Sequence, residues 1–178
     1  EAKDKAGGML QFAIPGFRLT DDAVVRDIRR ITDLGVNILY NSRVDSNAFE
    51  ALKKDYQYIF TGPGAQLSTP LEIDGSNAAG VLEPLGFLFD ARQSKSTKIG
   101  RNIVIIGGGN TAMDAARTAW RLAGENGRVT VVYRRTLNEM PADQGEIKAV
   151  LDEGVEIIER TSPEKVLEKN GRVHALLC

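Results

Sequence analysis

Asn102-Ile103-Val104-Ile105-Ile106-Gly107-Gly108-Gly109-Asn110-Thr111-Ala112 is the stretch on which the fold of this chain turns. The run up to Ile106 has the pattern of a strand buried on both faces in a parallel sheet. The glycines break it. From about Asn110 to Leu122 the sequence predicts a helix, with Ala112, Ala115, Ala116 and Ala119 small enough to pack closely on a sheet. Gly107-x-Gly109-x-x-Ala112 fits the pattern G-x-G-x-x-G/A. Gly107 permits a tight exit from the strand, Gly109 leaves room for a pyrophosphate to approach backbone, and Ala112 lets helix and strand come close. A helix start also carries unpaired N–H groups and a partial positive charge, which attract phosphate. Gly108 lies inside this turn, and Asn110 and Thr111 can add side-chain hydrogen bonds. Two plainer readings stay open: a turn that is merely tight, and a turn that holds the pyrophosphate of FAD.

Downstream, Gly124 to Gly127 reads as a turn and Val129 to Tyr133 as a second strand. A second helix fits Asp143 to Glu153, with Ile147, Val150 and Leu151 on one face and Gly154 as its stop. Val155 to Ile158 reads as a third strand. The β-α-β-α-β rhythm predicts a Rossmann-like parallel sheet in an α/β fold. Val166 to Glu168 and Val173 to Leu177 flank Asn170-Gly171, the signature of a β-hairpin extension.

Upstream the pattern is less regular. Thr20 or Asp21 caps an expected helix containing Val24, Ile28 and Ile31, which Gly35 ends. Val36 to Tyr40 and Tyr56 to Thr61 read as strands. Gly62-Pro63-Gly64 is a sharp break, and Pro84 to Ala91 a short helix. Gln93 to Gly100 is polar and small and reads as a linker. The expected organisation is therefore 1–95 and 96–178, divided near residue 95.

At the end of the second strand, NAD- and FAD-binding units carry an acid about 20 residues beyond the glycines. This chain has Arg134-Arg135 there. An acid repels a 2′-phosphate, whereas an Arg holds it through charge-assisted bonds of roughly 1.5–3 kcal/mol each. The pair thus points to NADP(H) over NAD(H); a solvated basic pair is the plainer reading.

Composition excludes several alternatives. With 23 basic and 24 acidic residues the net charge is −1, which gives no reason to expect nucleic acid or a membrane surface as partner. The one cysteine, Cys178, excludes an internal disulfide or Cys-x-x-Cys pair and fits a reducing cytoplasm. The one histidine, His174, reads as a strand residue, so histidine-based catalysis and multi-histidine metal sites fit poorly. No Tyr-x-x-x-Lys pair and no G-x-x-x-x-G-K-[ST] loop is present. No catalytic acid or base and no metal ligand set stands out. Glu146 reads either as a residue near the nicotinamide or, the plainer reading, as a surface helix carboxylate, and Arg117 with Arg121, one turn apart, as a solvated helix face.

Ile105 to Ala119, Val129 to Arg135 and Glu139-Met140-Pro141-Ala142 together resemble the small (beta) subunit of NADPH-dependent glutamate synthase and its relatives, among them the N-terminal part of dihydropyrimidine dehydrogenase and flavin subunits of anaerobic oxidoreductases. Gly7-Gly8-Met9-Leu10, Ile14 to Leu19, Tyr58 to Gly62 and Gly154-Val155 extend the resemblance over nearly the whole chain. It implies two nested dinucleotide domains, with FAD in one and NADPH in the other, and hydride passing between them toward an iron–sulfur centre or partner subunit. Within that implication Glu1 falls where the family's FAD ribose-binding acid ends a strand. Gly8, Leu10, Thr61 and Gly62 fall on the FAD side, and Arg18 faces either flavin or structure. The first glycine-rich FAD turn, a cysteine-rich cluster domain and the later closing segment are missing. The expectation is a central fragment that includes part of a flanking FAD-binding domain, binds FAD poorly and does not turn over alone. The alternative is a sensor module that holds NAD(P) without chemistry; the flavin-side segments argue against it.

Overall fold

Asp21 opens a helix, as the acids and bases around it favour. In the computed structural model, which describes residues 1–94, 97 and 99–178, this helix is α2 (Asp21–Thr32), preceded by the short α1 (Met9–Phe12) and followed by α3 (Ser46–Asp55). Thr20 is the N-cap of α2; Asp21 and Asp22 lie in the first turn and Arg29 and Arg30 in the last, matching both ends of the helix dipole. Val24 is buried, whereas Ile31 is exposed. Asp45 caps α3 by accepting a hydrogen bond from the Ala48 amide at 2.9 Å, in a helix that the sequence pattern did not predict. Residues Glu1–Gln66 form one compact unit and Leu67–Cys178 a second.

The strands expected at Val36 to Tyr40 and Tyr56 to Thr61 do not form; both segments are irregular. Val36, Leu39, Tyr58 and Phe60 are exposed, Phe60 at 97%. A β-favouring segment becomes a strand only with a partner ladder and a surface to cover, and the first unit contains no strand among its described residues. The nearest approach is a short run of hydrogen bonds: the Glu1 amino group to the Leu39 carbonyl, the Asn41 amide to Lys3, and the Ser42 amide to Glu1.

In the second unit α4 (Pro84–Arg92) begins with Pro84 and is capped by Glu83, which accepts from the Leu85 and Gly86 amides at 2.8 and 2.5 Å. The expected boundary near residue 95 lies outside the described residues, as do Lys95, Ser96 and Lys98 of the expected linker. Then come β1 (Asn102–Ile106), α5 (Asn110–Ala123), β2 (Arg128–Val132), α6 (Gln144–Asp152) and β3 (Glu156–Ile158). The sheet order is β1-β2-β3, all parallel, with Ile106 beside Val132 and Val132 beside Ile158. This is the Rossmann-like arrangement. β1 is not buried on both faces as expected: Val104 is 47% exposed. Among the described residues it pairs on one side only, and β2 is the middle strand, whose Val129, Val131 and Val132 are buried. Ala112, Ala115, Ala116 and Ala119 are buried along α5 around the fully enclosed Met113. Ile147 and Val150 of α6 are buried, but Leu151 is exposed.

β4 (Lys165–Lys169) and β5 (Arg172–Leu177) form the hairpin, with a register shift between Leu167 and Glu168. Its turn residues Asn170 and Gly171 both have positive φ, 55° and 72°, as a type I′ turn requires. Residues 74–79 meet both strands of this hairpin at isolated bridges: the Asp74 carbonyl accepts from the Val166 amide and the Ala79 carbonyl from the Val173 amide. No helix among the described residues is long and apolar enough to cross a membrane.

Candidate functional site

The parallel register places the ends of β1 and β2 side by side, and the candidate residues gather there. The Gly107 amide donates to the Val132 carbonyl at 3.1 Å. Gly107 has φ 131°, outside the range ordinary side chains adopt. Gly108 is a close-packing position: a Cβ there would stand 2.6 Å from the Tyr133 ring. Gly109 differs from both. It has ordinary extended backbone (φ −92°, ψ 173°), and a Cβ on it would meet nothing within 4 Å. The space in front of Gly109 is therefore open, on the side where α5 begins.

That helix start is unfinished. The Gly109 carbonyl accepts from Ala112 and Met113, but among the described residues no acceptor faces the amides of Gly109, Asn110 or Thr111. Gly109 has no side chain to cap α5, and the first turn holds no acid. In the same unit α4 and α6 are closed by carboxylates, Glu83 and Asp143. Bare amides, a helix dipole and open space together form a cradle for an oxyanion.

The wall of this cradle comes from the segment after β2. Tyr133 donates its hydroxyl to the Glu139 carbonyl at 3.0 Å, the Ala142 amide donates to the Gly108 carbonyl at 3.1 Å, and Met140 and Ala142 are buried. Asn110 Oδ1 accepts from the Asp143 amide at 2.9 Å. Its oxygen is thus tied to the start of α6, and the group it could offer a phosphate is the Nδ2 donor, not this oxygen. Thr111 is exposed beside the open amides. The Glu139 to Ala142 motif braces the glycine turn through these contacts.

Arg134 and Arg135 follow Tyr133 and are exposed. The Arg135 carbonyl accepts from the Arg160 amide at 3.0 Å, which brings a third guanidinium, missed in the sequence, to the same sheet edge. Glu139 is bonded by the Thr136 hydroxyl at 2.7 Å and the Thr136 amide at 3.0 Å; these bonds, with the charges of Arg135 and Arg160, hold its carboxyl below the usual range.

Arg117 and Glu146 overturn their sequence reading, while Arg121 stays exposed as expected. The Arg117 side chain is only 14% exposed and bridges α5 to α6, with Glu146 at 2.8 Å and Glu153 at 2.8 Å; Arg121 reaches Glu153 at 2.7 Å. Burial works against the Arg117 charge, but the bonds and fields of Glu153 and Glu146 outweigh it and its pKa rises. The Arg121 bond, opposed by burial and helped by Arg117, lowers that of Glu153. These residues are a clamp between helices.

The flavin-side candidates lie in the first unit. Glu1 accepts from the Lys3 amide at 2.9 Å through its carboxylate. Gly8 is the N-cap of α1, and Leu10, within α1, is exposed. Arg18 is exposed after α1, and Thr61 and Gly62 are exposed in an irregular segment.

Residues 21–177 match the family model described as pyridine nucleotide-disulphide oxidoreductase. The chain is 36% identical over 177 residues to the NADPH-Fe(3+) oxidoreductase subunit beta of Geobacter sulfurreducens, covering 97% of this chain and 26% of that protein. It is 31% identical over 180 residues to the NADPH glutamate synthase small chain of Escherichia coli, covering 94% of this chain and 38% of the relative. The chain thus spans well under half the length of these relatives. FprA from Mycobacterium tuberculosis, solved in complex with NADPH, superposes with a TM-score of 0.81 over 99% of this chain and 55% of its own, at 14% identity, a likeness of fold. The matched span takes in the sheet, the glycine turn and its brace, and on that ground the chain belongs to the pyridine nucleotide-disulphide oxidoreductase family.

Proposed function

We propose that this chain holds NADP(H) at the ends of β1 and β2, within a longer NADPH-dependent flavoprotein oxidoreductase. The observation that carries the reading is the unfinished start of α5: open amides at Gly109, Asn110 and Thr111 before an empty approach to Gly109. The pyrophosphate rests on Gly107–Ala112, and Arg134 and Arg135 take the 2′-phosphate of the adenosine ribose. Relatives whose names include NADPH support the choice of cofactor.

In the full-length protein FAD binds on the side of Glu1, Gly8, Leu10, Arg18, Thr61 and Gly62. The overall activity is passage of hydride from NADPH to FAD and on to a partner subunit or iron–sulfur acceptor, in a reducing cytoplasm. The cofactors carry the redox chemistry when bound; the residues of this chain bind, orient and select. Titration of NADPH and NADH against the chain and against Arg135→Ala tests the reading. We expect preference for NADPH of about tenfold or more in the wild type, in line with charge-assisted bonds to the 2′-phosphate, and its erosion in the variant. Equal affinities of the wild type for both cofactors refute it.

A further inference from the structure

Arg160 is the residue at this sheet edge whose conformation has no local explanation. It has φ 51°, a region that residues other than glycine and asparagine rarely enter. Such a conformation persists where the surroundings impose it. Here the ladder between β2 and β3 continues past the strand ends: the Tyr133 amide donates to Ile158, the Arg160 amide to Arg135 and the Thr161 amide to Tyr133. Arg160 is thereby held beside Arg135, and it is exposed.

Of the carboxylates nearby, Glu139 feels the charges of Arg135 and Arg160 but is bonded to neither. Glu139 is engaged by Thr136, and Glu159 by the Leu137 amide. Among the described residues neither Arg134, Arg135 nor Arg160 stands within ion-pair distance of a carboxylate. Three guanidinium groups at the end of two adjacent strands suit a dianionic phosphate monoester better than a ribose hydroxyl. Resting on the cofactor reading above, we propose that Arg160 is a specificity-determining residue: it and Arg135 grip the 2′-phosphate from two strands. The strained backbone of Arg160 serves to deliver its side chain to that point.

The test uses Arg160→Gly and Arg160→Lys in the full chain, with 2′,5′-ADP and 5′-ADP as calorimetric probes that differ in the 2′-phosphate. Glycine accepts the positive φ without strain, so the melting temperature of Arg160→Gly is expected to be no lower than that of the wild type. Its affinity for 2′,5′-ADP is expected to fall about tenfold or more, the scale of a lost charge-assisted bond, with 5′-ADP changed less than about twofold. Arg160→Lys, which keeps the charge, recovers part of the loss. An equal loss for both probes, or no loss for either, overturns the role of Arg160. If the wild type and Arg135→Ala differ in 2′,5′-ADP affinity while Arg160→Gly matches the wild type, this inference falls and the cofactor reading stands. A wild type that binds neither probe overturns both.

Discussion

Two helix starts, α5 and α6, lie one hydrogen bond apart and are finished in opposite ways. At α6, Asp143 turns its carboxylate onto the Gly145 amide at 2.8 Å. At α5 the equivalent position is Gly109, which caps nothing. The two ends are tied together by Asn110, whose oxygen takes the Asp143 amide. A missing cap forgoes about 0.5–2 kcal/mol of stability. The protein forgoes it at the α5 start, whose approach is open, and secures the neighbouring start, a difference that fits the ligand proposed for the open end.

The largest effect is expected from closing the open end. Gly109 already has the extended backbone of a capping residue and room for a side chain, so Gly109→Asp is expected to melt no lower than the wild type. Its NADPH affinity is expected to drop about a hundredfold or more, since like charges in contact cost several kcal/mol. A Gly109→Asp chain that folds and binds NADPH normally breaks the comparison.

An intermediate effect lies in the clamp that holds α5 on α6. The bonded Glu153 carboxyl titrates below its ordinary range. Its contribution is therefore complete above that range and is lost as pH falls through the lowered value. Urea unfolding of wild type and Glu153→Gln should differ by roughly 1–2 kcal/mol at neutral pH. That gap should close in acid. A gap independent of pH removes the ion pairs as its cause. The smallest effect is the mirror of the first: Asp143→Ala should lower stability by about 1 kcal/mol without weakening NADPH binding. Weaker binding in Asp143→Ala would mean that the two ends are not separable.

What could be read in advance follows from distance along the chain. Gly107–Ala112, the Asn170-Gly171 turn and the stop at Gly154 are local geometry, and a few consecutive residues suffice for them. The runs Val36–Tyr40 and Tyr56–Thr61 misled because β-favouring composition is only half of a strand; the other half is a partner. Arg117 and Glu146 misled because they are separated by 29 residues, and nothing in either helix alone says that they meet. Arg160 was invisible for the same reason: only the β2–β3 pairing brings it beside Arg135.

The order of residues alone determined that a strand, a glycine turn and an alanine-faced helix occur in succession, because backbone freedom and side-chain size act between near neighbours. Tertiary structure decided that β2 takes a partner on each side, that Tyr133 walls the turn, and that Arg117 is a clamp. Those outcomes depend on which remote segments pack together, and burial and pairing are properties of the assembled sheet.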